Sequence, residues 1–142
     1  MSERFRNSIE FKSTEALAMT LFDEICPHGE FDFNTLIPSP DHIKGTDQET
    51  KWNTLHWNTK WNAYHTSMEW RDGTAKLEFS TANGSPFAVF AAFGKRYKID
   101  FTVKYLQELP GGGAVDTYKV APDGSVKVIS SIVLGEDGKP RV

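Results

Sequence analysis

A chain of 142 residues, 39% hydrophobic and 25% charged, is long enough to bury one core and too apolar to be disordered throughout. Its net charge of −3 and pI near 5.8 argue against binding nucleic acid by bulk electrostatics. The single Cys26 excludes an intrachain disulfide, and no run approaches the roughly 18 consecutive apolar residues of a membrane helix. The charged start Met1-Ser2-Glu3-Arg4-Phe5-Arg6 lacks the apolar run of a signal peptide, so a cytoplasmic protein without a membrane partner is expected.

Charge is distributed unevenly. Residues 1–50 hold four Lys/Arg against ten Asp/Glu, net −6, and residues 51–110 hold eight against five, net +3. An acidic first third beside a mildly basic middle can orient a charged partner, although an uneven solvated surface gives the same pattern.

Phe5, Asn7, Ile9 and Phe11 alternate with polar residues, the two-residue period of a strand with one buried face. Ser13 then reads as a helix N-cap, followed by an apolar stripe at Leu17, Leu21 and Ile25, with Ala18 and Phe22 alongside, as far as Pro27-His28-Gly29. Residues 30–54 show no sustained period. Phe31, Phe33 and Ile37 are expected to pin the first half of this connection, and the polar second half is expected to be mobile.

A second strand is expected from about Lys60, with Asn62, Tyr64, Thr66, Met68 and Trp70 on one face and Trp61, Ala63 and His65 on the other. Arg71-Asp72-Gly73-Thr74 reads as a tight hairpin turn, and Ala75, Leu77, Phe79 and Thr81 as the inward face of a third strand. After Asn83-Gly84, Ser85-Pro86 has the form of a helix start; Phe87, Phe90, Ala91 and Phe93 supply the apolar side, and Gly94 the end. Tyr97, Ile99, Phe101, Val103 and Tyr105 alternate as a fourth strand. Past Pro110-Gly111-Gly112-Gly113, a last hairpin is expected over about 114–134, turning at Pro122-Asp123-Gly124, with a flexible tail over 135–142.

This order predicts an α+β fold: one domain over 1–134, a ferredoxin-like βαββαβ antiparallel sheet with two helices on one face, plus an appended C-terminal hairpin.

The residues argue against several chemistries. His28, His42, His56 and His65 lack zinc-site spacing, so no metal is expected. Cys26 lies at the apolar end of the first helix, where free cysteines are usually inert core residues. No serine stands in a Gly-x-Ser-x-Gly context, and Gly111-Gly112-Gly113 precedes strand residues where a phosphate loop needs a helix. A cross-strand meeting of His65, Glu69 and Glu78 is the weak remaining basis for acid–base chemistry. Neither a catalytic residue nor a cofactor is assigned.

One stretch is exceptionally dense in large side chains that also hydrogen-bond: Leu55-His56-Trp57-Asn58-Thr59-Lys60-Trp61-Asn62-Ala63-Tyr64-His65. Such residues serve either as fold anchors or as a binding site. The binding candidates are His56, Trp57, Lys60, Trp61, Tyr64 and His65. The alternative is a single-stranded nucleic-acid module that uses the sheet face with Lys95, Arg96, Lys98 and Lys104 around the fourth strand.

Three segments also carry a family resemblance. Phe31-Asp32-Phe33-Asn34-Thr35-Leu36-Ile37-Pro38-Ser39-Pro40, Trp57-Asn58-Thr59-Lys60-Trp61-Asn62-Ala63-Tyr64 and Phe79-Ser80-Thr81-Ala82-Asn83-Gly84-Ser85-Pro86 occur in the order seen in the YubB ferredoxin-like family of small phage and plasmid proteins. Asn58 stands where that pattern has Gly, and Arg4-Phe5-Arg6-Asn7 replaces an opening Asn-Trp-Cys. The resemblance spans roughly residues 1–107. It implies a ferredoxin-like fold, a mobile-element origin and a bacterial host cytoplasm, and it supplies no enzyme activity. It also favours a structural role for Trp57, Lys60, Trp61 and Tyr64. The expected function is a non-enzymatic factor that binds a host protein, such as an inhibitor of a host defence complex of the anti-CRISPR or anti-restriction kind.

Overall fold

Alternating burial is clearest at the first strand. The computed structural model describes residues 4–109 and 112–135, and within it β1 (Arg4–Lys12) buries Phe5, Asn7, Ile9 and Phe11. The chain then forms α1 (Glu15–Ile25), short 3-10 turns at Phe33–Thr35 and Asp41–Ile43, and α2 (Glu49–His56). There follow β2 (Tyr64–Arg71), β3 (Thr74–Ala82), α3 (Phe87–Tyr97), β4 (Phe101–Leu109), β5 (Gly112–Val120) and β6 (Val126–Leu134).

All six strands join one antiparallel sheet in the order β2-β3-β1-β4-β5-β6. Aromatic packing shows which face is covered. Phe11 meets Phe22 of α1 and Phe93 of α3, while Phe79 meets Phe31, Phe33 and Phe90. Helices and connection therefore lie on the face of Phe11 and Phe79. The opposite face is polar, with Arg6, Lys76, Glu10 and Glu78 in ion pairs.

The expected ferredoxin-like unit with two helices and an appended hairpin is thus corrected. The sheet has six strands, the described residues form three helices, and the last hairpin continues the main sheet because β5 pairs with β4 from Phe101↔Val120 onward. The α+β class is the part of that expectation that fits. The extra helix, α2, lies in the connection expected to be irregular. Its sequence hides it, because Asn53 is its only buried residue and it carries no apolar stripe.

Other local expectations are corrected as well. Thr14, rather than Ser13, caps α1 by accepting from Leu17 N, and Leu17 faces solvent while Ala18, Leu21, Phe22 and Ile25 are buried. Strand pairing in β2 begins at Tyr64, so Trp61 to Ala63 precede it. Tyr97 ends α3 and Ile99 lies in the following loop, so β4 starts only at Phe101. Gly94 sits inside α3 rather than at its end. A Cβ there would stand 2.8 Å from the Ala121 carbonyl, so glycine serves close helix–strand packing. The expected 135–142 tail lies outside the described residues from 136 onward, as do Pro110 and Gly111 of the connector.

Candidate functional site

The stretch 55–65 divides into an inward and an outward set. Trp57 is 3% exposed; its ring meets Phe33 edge-on at 5.5 Å, and its Nε1 donates to the Ile37 carbonyl at 2.9 Å. Both the indole surface and its one polar atom are thereby satisfied, as a buried Trp requires.

Asn58 adopts φ +66°, the left-handed conformation for which glycine and asparagine are best suited. Its Oδ1 accepts from Ala88 N at 2.9 Å, in the first turn of α3, where Ser85 had been expected to cap. Ser85 instead donates to Asn7 Oδ1 at 2.6 Å, and Asn7 Nδ2 donates to Thr81 Oγ1 at 2.9 Å, closing a buried polar chain across β1, β3 and the start of α3. Gly84, at φ +149°, leaves room for the Asn58 carbonyl, which a Cβ would meet at 2.8 Å.

Asn62 joins this stretch to the 31–39 segment. Its Oδ1 accepts from Phe33 N and Ala63 N, each at 2.9 Å, and its Nδ2 donates to Asp32 Oδ1 at 2.8 Å. The same carboxylate oxygen accepts from the Asn34 backbone and side chain, both at 3.0 Å. Burial alone would raise the Asp32 pKa, but the hydrogen bonds from Asn62 and Asn34 outweigh it and hold the carboxyl below its ordinary value. The three motif segments are therefore physically one clamp. Asp32, Asn58 and Asn62 carry it, and the sequence reading had not singled out any of the three as site residues. Their place as polar residues inside aromatic-rich segments was the available signal.

The outward set is different in kind. Leu55 is 74% exposed and Trp61 43%, with Lys60 Nζ 5.1 Å from the Trp61 ring centroid. His56 is exposed and lies flat on Trp52, ring centroids 4.2 Å apart, its Nδ1 donating to the Trp52 carbonyl at 3.0 Å. Ile43, Gln48, Lys51, Trp52, Leu55 and His56 line a shallow concavity of about 320 Å³. Tyr64 and His65 stand apart from this patch in sequence and role: Tyr64 pairs with Ser80, and His65, at φ +53°, packs edge-on against Tyr64. Of the six binding candidates, Trp57 is thus core, His56, Lys60 and Trp61 are outward residues of α2 and its following turn, and Tyr64 and His65 mark the start of β2. Leu55 belongs with the outward group, whereas Trp52 is half-buried with its ring edge-on to Trp57; neither was among the candidates.

The basic set is divided by the sheet. Lys95 and Arg96 lie in the last turn of α3 and Lys98 follows it at φ +55°, on the covered face. Lys104 pairs with Ser8 and Thr117 on the open face. The aromatics of β1, β3 and β4 (Phe5, Phe11, Phe79, Phe101 and Tyr105) share the register of the covered face, so these strands offer no ring for base stacking on the open one.

The remaining chemistry is sparse. Burial pushes the Cys26 thiol up to about 12, and the Glu30 and Asp32 carboxylates add to it; a thiolate is disfavoured there. Glu78 is engaged by Arg6 and Lys76, and among the described residues no hydrogen bond or ion pair joins it or Glu69 to His65. No group of three or more His, Cys, Asp or Glu among the described residues is placed to hold a metal ion. None of the described helices is long and apolar enough to cross a membrane.

No protein-family model matches the chain, and neither curated proteins nor solved structures give a significant match.

Proposed function

We propose that the chain is a non-enzymatic, protein-binding accessory factor whose contact surface is the outward face of α2 with Trp61. The observation that carries this reading is the exposure of Leu55 on α2, which buries only Asn53, together with the exposure of Trp61 in the turn that follows. Apolar and aromatic groups held out to solvent contribute little to the core, whereas Trp and Leu anchors surrounded by polar residues suit a protein interface. Lys51 lines the patch and Asp47 borders it beside Leu55, so its rim carries both signs of charge. The partner that fits presents an apolar pocket.

The motif resemblance to small phage and plasmid proteins makes a host defence protein the partner class of choice. The nucleic-acid alternative finds no comparable support, because its basic residues are split between the two faces of the sheet and the open face carries no ring on β1, β3 or β4.

The test is affinity capture from bacterial lysate with the wild-type chain and with Leu55→Asp in parallel. A stoichiometric protein retained by the wild type and lost by Leu55→Asp, at unchanged melting temperature, is the expected result. Capture of no stoichiometric protein, or equal capture by both, would overturn the proposal.

A further inference from the structure

Both halves of the open sheet face carry charge, and only one half balances it. Over β3 and β1 the basic residues have partners. Arg6 reaches Glu78 at 3.5 Å, Lys76 reaches Glu78 at 3.2 Å and Glu10 at 3.9 Å, and Lys12 donates to Thr74 Oγ1 at 3.1 Å. Over β4, β5 and β6 the balance is missing. Lys104, Lys119 and Lys127 are exposed, and among the described residues none of the three has a hydrogen bond or an ion pair.

Strand register brings these lysines into one block. Thr102, Lys119 and Lys127 stand opposite one another across the three strands, and Lys104, Thr117 and Ser130 form the adjacent row. Val103 and Tyr118, between the rows, belong to the covered face. Strands lie about 4.8 Å apart and two residues along a strand span about 6.8 Å, so the six positions cover about 10 Å by 7 Å. Every position is a lysine or a hydroxyl. Ammonium groups only donate hydrogen bonds and hydroxyls can turn to donate, so the block offers donors throughout.

This arrangement has a cost in the free protein. Like charges directly opposed across strands are destabilising, and Lys119 and Lys127 are such a pair, with Lys104 diagonal to Lys119. There is also room for a ligand. Thr102 and Lys119 line a hollow of about 320 Å³, where β1 and β4 part after Glu10↔Thr102. Asp100 bounds that hollow, and Glu10, also on its wall, is held by Lys76.

We infer that this block binds a small polyphosphate, whose oxygens accept from Lys104, Lys119 and Lys127 and from the hydroxyls of Thr102 and Thr117. The site is separate from the α2 surface and does not rest on it. Charge selects the ligand: a phosphate monoester carries about −1.5 to −2 near pH 7, so two phosphoryl groups match three ammonium groups. Extent selects against a nucleic-acid strand. The next row on one side is apolar, with Leu106, Val115 and Ile132, and the block ends at Asp100 on the other. A groove that tracks a strand is longer and adds aromatic platforms for the bases, and β1, β3 and β4 present none on this face.

Titration calorimetry of the full chain with sodium pyrophosphate at low ionic strength tests this. Saturable one-to-one binding is expected, weakened at least about tenfold in Lys119→Gln/Lys127→Gln. Arg71→Gln/Lys95→Gln removes the same charge elsewhere and should change it less than about twofold. Lys127→Glu sets opposite charges across the strand pair. It is expected to melt higher than the wild type without ligand, and to lose the rise in melting temperature that pyrophosphate gives the wild type.

No saturation of the wild type by about 10 mM pyrophosphate would overturn the inference. So would equal weakening in the control pair, or a Lys127→Glu chain that melts no higher or still responds to pyrophosphate. Sulfate binding as tightly at matched ionic strength would reduce the block to an adventitious ion site. A short single-stranded oligonucleotide held more tightly than pyrophosphate by the same lysines would assign it to nucleic acid instead.

Discussion

The β2 and β6 flanks of the same sheet solve opposite problems. At the start of β2 the backbone is tied to the 31–39 segment, the 57–63 turn and Arg6 by hydrogen bonds through Asn62, Trp57, Glu30 and Arg6. At the β6 flank the strand holds on one side only, and its apolar residues face water. Stability is therefore concentrated in the clamp, while surface left open for association lies elsewhere. The contrast also explains why the aromatic-rich stretch is divided: its inward residues serve the clamp, and its outward residues are left available by α2.

Breaking the clamp should have the largest effect. Trp57→Ala removes a buried ring and orphans the Ile37 carbonyl, and is expected to cost about 3–5 kcal/mol in denaturant unfolding. A loss below about 1 kcal/mol would show that Trp57 is not an anchor. Asn62→Ala leaves two backbone N–H groups and the Asp32 carboxylate short of partners, at about 2–3 kcal/mol.

The clamp should also respond to acid. Asp32 titrates below its ordinary 3.8 when folded, so the unfolded chain binds its proton more readily. Its stabilising contribution is complete above that ordinary value and is lost as pH falls through the lower folded one. The stability difference between wild type and Asp32→Asn should therefore shrink below about pH 4; a difference independent of pH from 6 to 2 would remove Asp32 from the account. The smallest effect belongs to the outward set. Trp61→Ala is expected to cost under about 1 kcal/mol, the loss of one exposed ring and its Lys60 contact, while diminishing partner capture.

Much of the sheet was legible from alternation alone. Phe5 to Phe11 and Ala75 to Thr81 bury the expected faces, and the Asp72-Gly73 turn sits between Arg71 and Thr74 as read. These succeed because a strand with one covered face repeats every two residues. The helix over Glu49–His56 was not legible, because a short helix resting on Trp52 and Asn53 needs no periodic stripe. Nor was the depth of Trp57 against Trp61: both are tryptophans in one motif, and only the turn at Asn58 sends one inward and the other outward.

The sequence by itself determined the α+β class, the covered faces of the first and third strands and the tight turn between the second and third, since each follows from local periodicity and turn chemistry. Tertiary structure alone decided that the last hairpin continues the main sheet, that Asn58 caps a helix thirty residues away, and that Asp32 and Asn62 meet. These outcomes depend on partners distant along the chain, and a hydrogen bond between distant residues leaves no period in the sequence that encodes it.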